Sequence, residues 1–167
     1  MTLIEGILGS IIAAGIVAMI VASYRRWFGQ EIRITSPLDG GTLTDPEPLG
    51  SGLSFPVRGV LRFLPKNHEI WLLVQSLSGK TWPQGFHQVD YNHRDGTWRG
   101  RITGMGRERI RIIAVIAPPT SQDYFRYFQK LGDECESGFP PILRVPVECK
   151  KRHSVEANVP PPTAPRP

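Results

Sequence analysis

The feature that most constrains this chain is one long apolar segment near its start. Residues Leu3–Ser23 contain a single charged side chain, that of Glu5. A helix rises about 1.5 Å per residue and a bilayer core is about 30 Å thick, so a segment of this length can cross a membrane. The residues that follow are typical of a helix leaving the bilayer: Tyr24, Arg25, Arg26, Trp27 and Phe28. We predict a transmembrane helix over roughly residues 3–24. Together with its interfacial belt, this membrane region comprises residues 1–28.

The alternative to a membrane anchor is a cleaved signal peptide. Signal peptides begin with a basic region and have a shorter apolar stretch of about 7–15 residues. Residues 1–5 contain no Lys or Arg, and the apolar segment is longer. Basic residues beside a span stay on the cytoplasmic side, and the nearest ones, Arg25, Arg26 and Arg33, follow it. We therefore expect a single-pass protein of the cell membrane with a very short outer N-terminus and a cytoplasmic soluble domain.

Small residues recur at every fourth position of the predicted span. They are Gly6, Ser10, Ala14, Ala18 and Ala22. At 3.6 residues per turn they form one face of the helix, and faces of this kind let membrane helices approach closely. Gly and Ala are also frequent in membrane helices that do not associate. We predict helix–helix packing along this face, in a homo-oligomer or with a partner.

The rest of the chain has the periodicity of β-strands separated by turns. Apolar alternation or continuous apolar runs predict the main strands at Glu31–Thr35, Phe55–Phe63, Glu69–Gln75, Thr97–Thr103, Arg107–Ala117 and Ile142–Cys149. We also predict that the fourth and fifth of these pair as a hairpin across residues 104–106. Helical spacing predicts one amphipathic helix over residues 121–131. The fold class is mainly β: a β-sandwich of about seven strands with one inserted helix, at residues 29–149.

The C-terminal residues differ in composition from the predicted domain. Residues 150–167 are first basic and then Pro-rich, ending in Val-Pro-Pro-Pro-Thr-Ala-Pro-Arg-Pro. A segment with so few apolar side chains buries too little surface to offset the entropy of ordering it. We therefore predict a disordered tail.

Several short motifs carry a resemblance to known modules. They are Ile-Thr-Ser-Pro-Leu-Asp-Gly, Val-x-Gly, Ile-Trp-Leu-Leu-Val, Trp-Pro-Gln and Asp-Gly-x-Trp, in this order along the chain. This pattern resembles bacterial immunoglobulin-like or fibronectin-III-like modules over residues 31–149, here carried by a single-pass membrane protein. The motifs are turns and core aromatics, so the resemblance implies a fold and no active site. Two features depart from this pattern. The chain has an inserted helix, and it lacks the cysteine pair of antibody domains.

Arginines form the one candidate binding site in the sequence. Arg107, Arg109 and Arg111 alternate along one predicted strand, and Arg99 and Arg101 have the same parity on the strand before it. If those strands pair, five guanidinium groups share one outer face that suits phosphate, anionic lipid or an acidic protein surface. The alternative is a solvated face whose charge Glu108 softens. The formal net charge is only +5, and we do not expect a nucleic-acid partner.

No residue pattern predicts catalysis, a metal or a cofactor. The chain lacks Gly-x-Ser-x-Gly, a phosphate-binding glycine loop and His-Glu-x-x-His. Cys135, Cys149 and His153 lack a fourth ligand for zinc, and the two cysteines could pair only in an oxidising compartment. The remaining candidates are expected in the core or in loops: Trp71, Trp82, Trp98, His68, His87 and His93.

These observations leave three functional hypotheses. The first is a membrane-anchored interaction module that binds a protein partner through its β-sandwich and associates through the small-residue helix face. The second is a ligand or nucleotide sensor that uses the arginine face. The third is a structural accessory subunit of a larger membrane complex. We predict the first, and that the protein is not an enzyme.

Overall fold

The computed structural model describes residues 31–49, 52–84, 89–103, 109–134, 140–149 and 152–160. Within them lie ten strands and one helix: β1 (Ile32–Ser36), β2 (Gly41–Thr42), β3 (Glu47–Leu49), β4 (Gly52–Leu61), β5 (Glu69–Gln75), β6 (Thr81–Gln84), β7 (Asp90–Tyr91), β8 (Thr97–Thr103), β9 (Arg109–Ala117), α1 (Pro119–Glu134) and β10 (Arg152–Asn158). The predicted span and its small-residue face lie outside these residues. No helix in the described part of the chain is long and apolar enough to cross a membrane.

The described strands form two five-stranded sheets. Sheet 1 has the order β1-β4-β8-β7, with β3 also paired to β4. Sheet 2 has the order β2-β10-β9-β5-β6. Every pairing is antiparallel except that of β10 with β2. The predicted mainly-β fold with one helix is confirmed.

One core lies between the two sheets. In β4, alternate residues Phe55, Val57 and Leu61 are buried, as the sequence alternation predicts. They pack with Trp98 of β8, and with residues of sheet 2 such as Leu72. Each of these side chains is at most 2% exposed. This core joins the sheets into one unit, residues Glu31–Pro167.

A second apolar layer covers the outer side of sheet 2. Helix α1 places Phe125 there, with its ring centroid 5.0 Å from that of Trp71 on β5. Ile142 and Cys149, from the segment after the helix, are buried in the same cluster. Both faces of β5 and β9 are therefore covered. This is why their sequences are nearly continuous apolar runs, whereas β8 alternates.

The predicted hairpin between β8 and β9 is wrong. Strand β8 pairs with β4 and β7 in sheet 1, whereas β9 pairs with β10 and β5 in sheet 2. The connection over residues 104–108 therefore leads from one sheet to the other. Such crossings are usual when two sheets share one core, and they move the two groups of arginines onto different surfaces.

The predicted end of the domain is also wrong. Residues 142–149 form no strand; Ile142 makes one isolated bridge to Thr81, and the segment lies over sheet 2. Strand β10 comes instead from the predicted disordered tail, within residues 150–167. It pairs with β9 along its whole length and buries Val155 and Ala157 in the main core. Two inward side chains and a complete ladder are enough to order it.

Side chains of sheet 2 also hold the edges of sheet 1. The N–H of Ile34 on β1 donates to Nδ1 of His153 on β10, at 3.3 Å. On the opposite edge, the N–H of Thr103 on β8 donates to Oε1 of Gln84 on β6, at 2.7 Å. Each bond satisfies an edge donor that no neighbouring strand can reach. Together they fix the alignment of the two sheets.

Candidate partner-binding surface

The structure divides the five arginines predicted as one site. Arg99 and Arg101 lie on β8 in sheet 1, whereas Arg109 and Arg111 lie on β9 in sheet 2. Arg107 lies outside the described residues. A single face of five guanidinium groups therefore does not form, because it required the pairing of β8 with β9.

The two arginines on sheet 2 share one carboxylate. Arg109 Nη2 lies 2.7 Å from Glu156 Oε2, and Arg111 Nη2 lies 3.0 Å from Glu156 Oε1. Arg111 also donates to Gln75 Oε1 at 3.4 Å. Glu156 comes from β10, the strand that the sequence analysis missed. These guanidinium groups are thus partly neutralised within the domain and are poor candidates for binding an anion.

Sheet 1 gathers a different group of arginines on its outer side. Their neighbours in sequence are buried in the core, so alternation directs them outward. We call this group the arginine face; its members are Arg33, Arg58, Arg99 and Arg101. Two of the four have acidic partners: Arg33 lies 2.6 Å from Glu31 and Arg101 lies 2.6 Å from Glu47.

The other two members of the arginine face oppose each other directly. Arg58 on β4 and Arg99 on β8 are a cross-strand pair, and both are exposed. Within the described part of the chain neither forms an ion pair, although the charge of Arg99 helps to lower the pKa of the Asp95 carboxyl. Like charges directly opposite in a sheet are destabilising, by a few tenths of a kcal/mol to about 1 kcal/mol. On its other side Arg99 has Asp90 of β7 as its cross-strand partner, so its charge is partly offset within the sheet.

Sequence reasoning missed Arg33 and Arg58 as site residues. Their grouping depends on β4 lying between β1 and β8, and no local motif predicts that order. One signal was available. Arg58 is an outward residue between inward residues of β4, and Arg99 has the same position on β8. Matching the outward positions of all alternating strands would have brought the two together.

A cleft of about 510 Å³ lies where the ends of β5 and β7 approach α1. Most of its polar groups have partners within the domain. Glu69 accepts from Arg126 at 2.6 Å and from Trp71 Nε1 at 3.1 Å, and Tyr91 donates its hydroxyl to the Leu61 carbonyl at 3.1 Å. His68 and His93 also line it. The Nε2 of Gln129, which also lines it, is buried without a hydrogen-bond partner among the described residues.

The tryptophan and cysteine candidates are structural. Trp71 and Trp98 are 7% and 1% exposed and belong to the two apolar clusters, while Trp82 is half-buried on β6. Cys149 is a free thiol that is 3% exposed. Burial raises its pKa, so the thiol stays protonated and unreactive near neutral pH.

The remaining metal candidates are described only in part. His153 accepts the Ile34 N–H, whereas Cys135 and His87 lie outside the described residues. Within the described ranges, no three His, Cys, Asp or Glu side chains are placed to hold a metal ion.

The fold and the arginine face define a two-sheet β domain with an exposed cationic surface. Comparison with protein-family models, with curated proteins and with solved structures gave no match.

Proposed function

We propose that this chain is a membrane-anchored interaction module that binds an acidic protein surface through the arginine face of sheet 1. The apolar segment at residues 3–24 serves as the anchor, and Arg25 and Arg26 behind it favour a cytoplasmic position for the domain. The domain is of the immunoglobulin-like or fibronectin-III-like kind. Such modules act by surface contact, and the proposal includes no catalytic step.

One observation carries this proposal: the exposed, directly opposed pair Arg58 and Arg99. A like-charge pair across two strands lowers the stability of the sheet that contains it, yet both side chains remain free of ion pairs within the described residues. An acidic partner would remove the repulsion on binding, and each guanidinium group could then bind a carboxylate through two hydrogen bonds. Fixed opposite charges of this kind give partner selection as well as attraction.

A protein partner is favoured over a small ligand. The arginine face is an open sheet surface, and the cleft beside α1 already pairs most of its polar groups internally. A small anion needs a concave site that surrounds it with donors. An open surface rich in arginine instead suits contact with a second protein.

The replacement Arg58→Glu separates binding from stability. It places opposite charges at the cross-strand pair, so we expect the domain to gain about 0.2–1 kcal/mol in free energy of unfolding. We expect partner recovery to fall by tenfold or more, since like charges then face each other across the interface and cost several kcal/mol. Urea denaturation of the full chain in mild detergent measures the first effect. Quantitative mass spectrometry of co-purifying proteins measures the second.

The matched control for this experiment is Arg144→Glu. Arg144 is also exposed, but it lies on the segment that covers sheet 2. It makes the same change in net charge away from the proposed surface. Equal partner recovery with Arg58→Glu and Arg144→Glu would refute binding through the arginine face. A lower free energy of unfolding in Arg58→Glu would show that repulsion between Arg58 and Arg99 does not destabilise the sheet.

We further propose that the anchor associates through its small-residue face. Gly6, Ser10, Ala14, Ala18 and Ala22 would give close backbone contact in lipid. Ala14→Leu should hold two helices apart and reduce association, whereas Ile12→Leu keeps the size of the side chain and should not. A membrane two-hybrid assay with cytoplasmic reporter fragments behind the domain measures this. Because the reporter fragments work only in the cytoplasm, a signal from the unchanged chain would also support a cytoplasmic position for the domain. Equal signals from the two variants would show that the small residues form no interface and only reflect the usual composition of membrane helices.

A further inference from the structure

Two loops at one end of the β domain contain three of the five Lys and Arg residues in its described loops, and all five are exposed. Ile32, at the start of β1, lies opposite Leu61 at the end of β4, and the Leu61 N–H donates to the Gly96 carbonyl at 2.7 Å. This contact brings loop 62–68 beside turn 92–96. We call these two segments, with the start of β10, the basic end of the domain.

The basic end combines cations with an exposed aromatic ring. Lys66, Arg94 and Arg152 are exposed there, and Phe63 is 57% exposed. Asp95 is the one acidic residue in the two loops. Its pKa is held below the usual range by the N–H and hydroxyl of Thr97, which donate to it at 2.8 and 2.7 Å. Asp95 therefore stays ionised, as one negative charge beside the basic side chains of the two loops.

The opposite end of the domain has a different balance. Its loops within the described ranges, residues 37–40, 43–46 and 76–80, contain two acidic residues, Asp39 and Asp45, and one basic residue, Lys80. Exposed apolar side chains occur there too, Leu38 at 75% and Leu77 at 71%. What distinguishes the basic end is therefore its positive charge around an aromatic ring, and not apolar exposure alone.

Chain connectivity relates the basic end to the predicted anchor. Strand β1 begins at Ile32, and the predicted span ends near residue 24. The intervening residues can reach at most about 25 Å when fully extended. An anchored chain must therefore keep the start of β1 within that distance of the lipid surface, and the loops beside β1 can then reach it. Aromatic and basic side chains together are characteristic of that interface.

We propose that the basic end binds an anionic lipid surface, with Phe63 among the headgroups and Lys66, Arg94 and Arg152 facing lipid phosphates and carboxylates. This inference rests on the membrane anchor of the proposed function, and its surface is separate from the arginine face. Contact at this end leaves the outer side of sheet 1 accessible to a protein partner. The lipid thus orients the domain for binding.

Hydrogen exchange of the full chain in lipid nanodiscs tests this proposal. One set of discs contains phosphatidylcholine alone, and the other contains phosphatidylcholine mixed with phosphatidylserine. We expect amide exchange in residues 62–68 and 92–96 to slow by about fivefold or more in the anionic discs. This is about the gain in affinity that one basic side chain contributes near an anionic leaflet. Exchange in residues 76–80 should be the same in both.

A triple variant, Phe63→Ser with Lys66→Glu and Arg94→Glu, should abolish the difference between the two lipids. The matched control at the opposite end, Leu77→Ser with Lys80→Glu, should retain it. Equal exchange of the two loops in both lipids, from a chain that stays in the discs, would overturn this proposal and leave the anchor intact. A chain that never incorporates into discs would instead overturn the anchor, and with it the lipid contact.

Discussion

A chain that ends at residue 150 will fail to form the two-sheet domain, whereas a chain that ends at residue 160 will retain it. The shorter chain lacks β10, whose seven residues, Arg152–Asn158, all pair with β9. Each lost backbone hydrogen bond contributes about 0.5–1.5 kcal/mol, and the buried surface of Val155 and Ala157 is lost as well. The sum is comparable to the whole stability of a domain, about 5–15 kcal/mol.

The same truncation also removes contacts that hold the start of the domain. Backbone groups of β10 accept hydrogen bonds from Gly40 at 2.8 Å and from Leu43 at 2.9 Å, and His153 accepts from Ile34. Limited proteolysis and tryptophan emission of both truncations in detergent measure the outcome. If the chain ending at 150 unfolds cooperatively at the same urea concentration as the longer one, the assignment of β10 to sheet 2 is wrong.

Gly59→Ala is expected to be the most damaging single substitution in sheet 1. A Cβ at this position would overlap the ring of Trp98 on β8 and the carbonyl oxygen of Arg33 on β1. Trp98 is 1% exposed and cannot move aside, and the Arg33 backbone belongs to the β1–β4 ladder. We expect a loss of about 3 kcal/mol or more, at or above the upper end of the usual cost of overpacking.

The control for Gly59→Ala is Gly79→Ala. An added Cβ at Gly79 meets no atom within 4 Å, but the residue has a φ of 83°, which costs an L side chain about 1–2 kcal/mol. Urea denaturation of both variants compares steric overlap with backbone strain. A smaller loss in Gly59→Ala than in Gly79→Ala would contradict the packing of Trp98 against Gly59.

Local patterns were sufficient to predict the strands whose side chains carry the pattern themselves. Strands β5 and β8 have the predicted bounds, Glu69–Gln75 and Thr97–Thr103, because a continuous apolar run and a strict alternation are strong signals. Helix α1 covers the predicted residues 121–131 with a few more at each end. Trp71 and Trp98 lie in the apolar clusters, as expected.

The errors arose where structure depends on distant partners. Strand β10 has only two buried side chains, Val155 and Ala157, so its alternation is weak and the prolines after it dominate the composition. The segment at 142–149 buries Ile142 and Cys149 over sheet 2 beside α1, and its run of apolar residues was mistaken for a strand. The alternation in β8 against the continuous run in β9 did indicate different surroundings, but sequence adjacency favoured a hairpin.

The sequence predicts an outer sheet face with several arginines, but the structure groups different arginines on one face. An arginine-rich outer sheet face exists, and Arg99 and Arg101 belong to it. Arg109 and Arg111 do not, because the chain changes sheets after β8, and Arg33 and Arg58 take their place beside β8 through β4. Residue parity on a single strand is a local property, whereas the neighbours of that strand follow from the whole topology.

The most direct test of partner binding through the arginine face is site-specific photo-crosslinking in native membranes. A photoreactive residue replaces Val60, which is 39% exposed on the arginine face and leaves all four arginines in place. The control position is Leu143, which is 95% exposed on the segment over sheet 2. The proposed function predicts a discrete adduct with an acidic protein at position 60, weakened by high salt and by Arg58→Glu, and none at position 143. The same adducts at both positions, or an adduct at 60 that is insensitive to salt and to Arg58→Glu, would contradict it.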